Sequence, residues 1–172
     1  MTALVFVDTN LLLYVRDAED PVKQARAAEW LGHLWREHTG RTSVQVLSEY
    51  YVNVTRKLSP GLPHEEAWDD VEALMTWRPQ LVDEPLLRRA RDIEIRYRLS
   101  WWDCMIVGAA QLQGCALLLT EDLQDGALYG SVTVRSPFSF RAEQLPALYA
   151  VEPAVARRHA ARGRPRKAKT AV

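Results

Sequence analysis

Two short, uninterrupted apolar runs, Ala3–Val7 and Ala116–Leu119, constrain the fold of this chain most strongly. Runs of this length without polar alternation are typical of strands that are buried on both faces of a sheet. The segments Arg41–Ser43 and Val132–Val134 predict two further strands. Because stretches with helical periodicity separate these strands, the sequence predicts an α/β sandwich around a short, mostly parallel sheet.

The predicted helices follow turns and begin at residues that suit helix N-termini. Asn10 is a good N-cap for a helix that starts at Leu11, and Pro21 suits the first turn of the next helix. We predict the remaining helices over residues 21–37, 44–58, 65–77 and 85–99, and from about residue 100 to Gly114. The sequence contains no internal repeat and no interdomain linker.

Charge is distributed unevenly along the chain, although 22 basic and 22 acidic residues balance overall. Seven of the basic residues follow Glu152, the last acid, so residues 1–152 have a formal charge of −7 and the last twenty have +7. From about Ala156 the composition is that of a disordered tail. The sequence therefore predicts an acidic body with a basic tail.

Cysteine content and the lack of a targeting segment predict a cytoplasmic protein. Cys104 and Cys115 lie in apolar surroundings without metal-type spacing, which indicates packing thiols in a reducing compartment. The N-terminus has no signal-peptide pattern. No apolar run approaches the roughly 18 residues of a membrane span, so we expect no membrane association.

Acidic residues occur at four places that this topology would bring to one edge of the sheet. Asp8 follows the first buried run, and Asp122 and Asp125 follow the run that ends at Leu119. Glu49 and Asp103 lie near helix starts. Because ligands of such sheets collect outside the carboxyl ends of the strands, these residues predict an acidic crevice.

Asp103 stands out among these acids, because it lies on the same helical face as the apolar residues Ile106, Val107 and Ala110. An unpaired charge on a buried face would cost several kcal/mol. Ser100 is placed for a capping box with Asp103, but such a cap, with the macrodipole, contributes less than burial costs. We therefore expect a cation beside Asp103, at the floor of the acidic crevice.

Each acid also has a simpler structural interpretation. Asp8 could form an Asx turn, Glu49 could lie on a solvated helix face or pair with Arg56, and Asp122 and Asp125 could form a turn. Carboxylates that approach within a few ångströms repel each other, however, and stay ionised together only around cations. Oxygen ligands without histidine or cysteine favour Mg²⁺ or Mn²⁺, and such sites hydrolyse phosphodiesters by activating water and stabilising the leaving oxygen.

Four segments of the chain, "FVDTNLLLY", "SVQVLSEYY", "LSWWDCMIVGAA" and "LLTEDLQDG", resemble the four motifs of the PIN domain, in particular those of VapC-like toxins of bacterial toxin–antitoxin pairs. The resemblance extends over about residues 3–138. It implies a Rossmann-like three-layer α/β/α sandwich and a Mg²⁺- or Mn²⁺-dependent endoribonuclease.

The resemblance also implies roles for individual residues. It assigns four acids to catalysis, namely Asp8, Glu49, Asp103 and Asp122. Three of them, Asp8, Asp103 and Asp122, would bind the metal. It gives supporting roles to Asn10, Thr120 and Asp125. Members of the family are usually homodimers, are held inactive by a cognate antitoxin, and cleave structured RNA such as tRNA or rRNA.

The chain departs from the family pattern after Phe138. We predict a PIN-like catalytic domain over residues 1–138, a C-terminal extension over 139–155 and a basic tail over 156–172. The tail sequence "ARGRPRKAK" resembles an AT-hook, a minor-groove DNA-binding element; the alternative is a sequence-indifferent tail that adds affinity for phosphates. In either case the predicted nucleic-acid contacts are Arg162, Arg164, Arg166 and Lys167.

Two other functions remain open from the sequence. One is a PIN-like module that binds nucleic acid with little catalysis, and the other is a DNA-directed nuclease or regulator that uses the basic tail. Trp101 and Trp102 could stack on bases, although adjacent helical positions face different ways and packing is the simpler use.

Overall fold

A computed structural model gives the fold of residues 3–145, which contain a five-stranded sheet, six α-helices and one 3₁₀ turn. The strands are β1 (Val5–Val7), β2 (Gly40–Arg41), β3 (Leu117–Leu119), β4 (Leu128–Tyr129) and β5 (Val132–Arg135). The helices are α1 (Thr9–Arg16), α2 (Pro21–Glu37), α3 (Val44–Arg56), α4 (His64–Met75), α5 (Glu84–Tyr97) and α6 (Trp101–Leu112). The 3₁₀ turn spans Ala142–Gln144.

The strand order is β2-β1-β3-β5-β4, and only the β4–β5 pairing is antiparallel. Val5 pairs with Leu117 and Val7 with Leu119, so β1 and β3 run side by side and end at the same level. The predicted mostly parallel sheet is confirmed. Because β1 and β3 are the two central apolar runs, the residues that follow them meet at one edge of the sheet.

The sheet lies at the centre of the hydrophobic core. Every residue of β1 and β3 is fully buried, and successive side chains of a strand point to opposite faces, so helices cover both faces. Helix α5 packs on α6, whereas α1 contacts α2 and α3, and α3 contacts α4. The α/β prediction is confirmed, with helices packed around a short, mostly parallel sheet.

The start of the first helix differs from the prediction. Helix α1 begins at Thr9 and its N-cap is Asp8, whose side chain accepts a hydrogen bond from the Thr9 amide. The prediction of Asn10 as the N-cap was wrong, because Asp and Asn suit this position equally and the sequence does not choose between them. Asp8 therefore lies directly between the end of β1 and the first residue of α1.

Most other element boundaries agree with the sequence, and the exceptions have local causes. Helix α2 spans residues 21–37 as predicted. Helix α5 ends before the predicted Leu99 because Arg98 adopts a left-handed conformation, with φ of 56°. Strand β2 lies at Gly40–Arg41 and not at residues 41–43, since Ser43 serves as the N-cap of α3. Strand β4 was not predicted, because two residues carry no periodicity.

The described residues that follow β5 pack against α2. Phe140 stacks on Trp30, and the indole Nε1 of Trp30 donates to the backbone oxygens of Pro137 and Phe140 at 3.0 and 3.3 Å. The division of the chain at residue 138 stays a prediction. The predicted contacts Arg162, Arg164, Arg166 and Lys167 lie outside the described residues.

Two further sequence predictions concern buried thiols and membrane spans. Cys104 and Cys115 are both buried and free, as expected for packing thiols. Within residues 3–145, no helix combines the length and the apolar character needed to cross a bilayer.

Candidate functional site

The carboxyl ends of β1 and β3 bring together the first and fourth predicted acidic segments. The amide of Asp8 donates to the carbonyl of Leu119 at 3.2 Å, which extends the strand pairing by one residue past the end of β1. Asp8 and Thr120 therefore emerge side by side, although 112 residues separate them in sequence. The parallel register of β1 and β3 therefore brings the residues that follow the two strands together at one edge of the sheet.

Asp8 is the most buried acid of this edge, with only 7% of its surface exposed. One carboxylate oxygen accepts from the Thr9 amide at 2.7 Å, and the other accepts from the Thr120 hydroxyl at 2.8 Å. Asp8 thus combines an N-cap role with a fixed orientation. The second oxygen is held toward the loop that follows β3.

Thr120 joins Asp8 to Asp122. Its hydroxyl donates to Asp8 and accepts from the Asn10 side-chain amide at 3.1 Å and from the Asp122 backbone amide at 3.1 Å. The same Asn10 amide donates to the Asp122 carboxylate at 3.2 Å. The structure therefore connects Asp8, Asn10, Thr120 and Asp122, all predicted from the sequence, in one hydrogen-bond network.

Glu49 reaches the same edge from α3. One of its carboxylate oxygens accepts from the Thr9 hydroxyl and the other from the Gln45 side chain, each at 3.0 Å. The alternative of a Glu49–Arg56 pair is not observed among the ion pairs of residues 3–145. Thr9, which the sequence analysis did not single out, links Glu49 to the residue next to Asp8.

The electrostatics of the cluster penalise the ionised form of Asp8. Burial raises the pKa of Asp8 to about 6, and repulsion from Asp122 and Glu49 adds to the rise, although the hydrogen bonds from Thr120 and Thr9 oppose it. A carboxylate with a pKa this high is poised to gain from a positive charge nearby. The three acids are therefore close enough to interact electrostatically.

Asp103 lies outside this network. It is half-buried at the start of α6, where Ser100 donates to its carboxylate at 2.6 Å and accepts from its amide at 3.2 Å. The predicted capping box is therefore only half formed within residues 3–145, because the Asp103 carboxylate binds the Ser100 hydroxyl and not the Ser100 backbone amide. The half-exposed carboxylate does not face the full cost of burial that the sequence suggested. Trp102 beside it is 64% exposed, whereas Trp101 packs against the core.

Asp125 fastens the end of the loop after β3. Its carboxylate accepts from Arg135 at 3.0 Å and from the Ser136 amide at 2.8 Å. Partial burial acts to raise the pKa of Asp125, but these hydrogen bonds and the Arg135 charge outweigh it and hold the pKa below its usual value. Asp125 therefore holds the loop after β3 against β5 and Ser136, and it does not take part in the hydrogen-bond network of Asp8.

Lys23 is a site neighbour that sequence reasoning missed. Its ammonium pairs with Glu121 at 2.9 Å, directly before Asp122. No local motif marks Lys23, because the contact spans 98 residues and joins two different segments of the fold.

The donor atoms fit a hard divalent cation. The side-chain oxygen of Asn10 is buried and has no hydrogen-bond partner within the described part of the chain, and the surrounding acids offer only oxygen. In residues 3–145 no set of three or more Asp, Glu, His or Cys side chains is spaced to enclose a metal. Mg²⁺ does not require such a cage, because it often uses one or two carboxylates and completes its shell with water and substrate phosphate.

The protein is thus an α/β protein that has a candidate cation site, built only from oxygen ligands, at the carboxyl edge of its mostly parallel sheet. The PIN domain family model matches residues 5–124, which is most of the chain. The protein belongs to the PIN domain family.

Three solved structures share the fold of this chain at low sequence identity. A toxin–antitoxin complex from Klebsiella pneumoniae matches with a TM-score of 0.57 and 19% identity over 80% of this chain and 98% of the other. The FitAB complex bound to an IR36 DNA fragment gives 0.60 and 20% over 80% and 98%. The Mycobacterium tuberculosis toxin VapC20, which cleaves the sarcin–ricin loop, gives 0.51 and 21% over 69% and 91%. No curated protein matches the sequence.

Proposed function

We propose that this protein is a Mg²⁺- or Mn²⁺-dependent endoribonuclease, the toxin component of a toxin–antitoxin pair. The observation that carries the proposal is the network in which Thr120 and Asn10 join buried Asp8 to Asp122 at the carboxyl edge of the sheet. Membership of the PIN domain family supports it, since the sequence motifs that define the resemblance supply these same residues.

The residues of the site divide into ligands and supports. Asp8 and Asp122 would hold the cation, with Asp103 as a further ligand from the start of α6 and Glu49 as the second acid of the site. A divalent cation held there lowers the pKa of a water molecule and stabilises negative charge on the phosphodiester. Thr120 and Asn10 fix the carboxylate directions through their hydrogen bonds.

The proposed substrate is a structured RNA, either tRNA or rRNA. A toxin that cleaves the sarcin–ricin loop shares this fold, which supports an RNA substrate. The basic residues Arg162, Arg164, Arg166 and Lys167 would supply attraction for phosphates that the acidic body lacks.

We also propose a cognate antitoxin and a homodimer as the assembled state. A toxin–antitoxin complex is among the structures that share the fold, which supports an antitoxin partner. Size measurement of the purified protein, alone and with the product of a neighbouring small gene, tests both.

An RNA cleavage assay tests the proposed activity. Purified protein should cleave tRNA or rRNA in Mg²⁺ or Mn²⁺, and EDTA should stop the reaction. Asp8→Asn and Asp103→Asn should each abolish cleavage while the protein stays folded, and Asp92→Asn, which changes an exposed acid on α5, should leave it intact. Cleavage that survives both site substitutions would refute the site assignment.

A DNA-directed nuclease or regulator is the second candidate, and the AT-hook-like tail sequence favours it. The assay should therefore offer tRNA, rRNA and duplex DNA side by side. Cleavage of DNA in preference to RNA would replace the ribonuclease proposal. Tight binding of nucleic acid without cleavage of any substrate would identify a binding module instead.

A further inference from the structure

Lys23, in the first turn of α2, joins three other segments of the protein beside the site. Its ammonium donates to the Tyr14 hydroxyl and to the Glu121 carboxylate, each at 2.9 Å. The same nitrogen lies 4.5 Å from the ring centroid of Tyr14 and 4.9 Å from that of Phe138. The two rings contact each other edge to face, with centroids 5.1 Å apart.

These contacts form a defined cage around one cation. The aromatic rings of Tyr14 and Phe138 attract an ammonium through their faces, and the hydrogen bonds to Tyr14 and Glu121 raise the pKa of Lys23 above its usual value. Lys23 is therefore permanently charged at neutral pH. Its three neighbours come from α1, from the loop after β3 and from the segment after β5, so the ammonium links all of them to α2.

The loop after β3 is held at two points, one on either side of Asp122. Glu121, on one side, is paired with Lys23. Asp125, on the other, is bound by Arg135 and by the Ser136 amide. Asp122 itself is exposed. Its backbone amide donates to Thr120, and within the described residues its carboxylate accepts a hydrogen bond only from Asn10. Its carboxylate direction therefore depends on how firmly the flanking residues are held.

We propose that Lys23 is a positioning residue that fixes Asp122 for cation binding by holding Glu121. The inference rests on the proposed function, because it assigns Lys23 a part in the same cation site. A residue that hydrogen-bonds a metal ligand typically contributes a factor of 10–100 to metal affinity. Because Lys23 acts on Asp122 through Glu121, we expect the lower end of this range.

Charge and position predict opposite effects, which makes the proposal testable. Lys23 is a positive charge near an acidic cluster, so its removal by simple electrostatics would tighten the binding of a divalent cation. If Lys23 instead positions the loop, its removal weakens binding. Replacing Lys23 together with Glu121 leaves the net charge unchanged and isolates the positional effect.

The experiment measures Mn²⁺ affinity by isothermal titration and by the electron paramagnetic resonance of free Mn²⁺. The full chain is compared with Lys23→Met, with Lys23→Met/Glu121→Gln and with Lys57→Met, which removes a charge from an exposed site at the end of α3. We expect both Lys23 variants to bind about tenfold more weakly and Lys57→Met to bind like the unmodified chain. Unchanged or tighter binding by the double variant overturns the proposal.

Two controls keep the outcome interpretable. The variants must unfold at the same denaturant midpoint as the unmodified chain, as surface substitutions usually do. If Lys23→Met does not fold, Lys23→Gln takes its place in both variants. Absence of Mn²⁺ binding by the unmodified chain contradicts the proposed function itself. Equal binding by the unmodified chain and the double variant contradicts only the role of Lys23.

Discussion

Replacing Asp8 by Asn should stabilise the metal-free protein at neutral pH, although it removes a candidate ligand. Burial raises the pKa of Asp8 from 3.8 to about 6, so the folded protein pays to keep this carboxylate ionised at pH 7. Asparagine resembles the protonated acid in shape and carries no charge. We therefore expect Asp8→Asn to unfold at a higher denaturant concentration in EDTA.

The expected size of the effect follows from the two pKa values. At about 1.4 kcal/mol for each pH unit, the difference between 3.8 and about 6 corresponds to about 3 kcal/mol. Because the folded state binds the Asp8 proton more tightly, the contribution of Asp8 to the stability of the unmodified chain should fall as pH rises through the window from about 4 to 6. The variant lacks this dependence, so its advantage should grow across the same window and then stay constant.

Denaturant unfolding in EDTA at pH 4, 5, 6 and 7 measures the free energy of unfolding of the unmodified chain and of Asp8→Asn, and hence the difference between them. Asp125→Asn is the matched control, because the pKa of Asp125 is lowered in the folded state. Its carboxylate stabilises the fold at neutral pH, so that variant should lose relative stability as pH rises. A free-energy difference for Asp8→Asn that stays constant with pH would refute the conclusion that burial raises the pKa of Asp8.

Three further substitutions test other parts of the structure. Thr120→Val removes a hydrogen bond that lowers the pKa of Asp8, so the upper end of the pH window in which the Asp8 contribution to stability falls should move upward when unfolding is followed as above. Gly40→Ala would place its Cβ 2.5 Å from the Trp77 ring, and chemical denaturation should show a loss of about 1–3 kcal/mol. Trp30→Phe leaves two backbone oxygens without their indole donor and should cost about 1–3 kcal/mol by the same measurement. An unchanged denaturation midpoint for either of the last two would contradict the packing described.

The elements that the sequence predicts well are those that local physics determines. The uninterrupted apolar runs of β1 and β3 leave little choice except strands buried on both faces, and Pro21 with the periodicity behind it defines α2. Helix α1 shows the limit, since Asp8 and Asn10 are equally good caps. Only the pairing of the Asp8 amide with Leu119 determines that the helix starts at Thr9.

The candidate site was predictable in composition but not in connectivity. Asp8 and Asp122 follow from acids at strand ends, because parallel strands end at one edge, whereas Asn10 and Thr120 are assigned by the family resemblance. That the Thr120 hydroxyl bonds to all three of the other residues could not be predicted, because it depends on the register of β1 and β3. The Lys23–Glu121 pair could not be predicted either, because it depends on how α2 lies against the loop after β3. For Asp103 the sequence predicted a buried charge, whereas the helix start leaves it half-exposed and bound by Ser100.

If Asp8 binds a divalent cation, the affinity of the protein for Mn²⁺ must depend on pH. Binding requires the ionised carboxylate, and with a pKa of about 6 only about one molecule in ten has Asp8 ionised at pH 5. Titration of the full chain should therefore give a dissociation constant about tenfold larger at pH 5 than at pH 7.5, with much weaker binding by Asp8→Asn at both. A dissociation constant that is the same at the two pH values, or binding that Asp8→Asn retains, would contradict a cation site at Asp8.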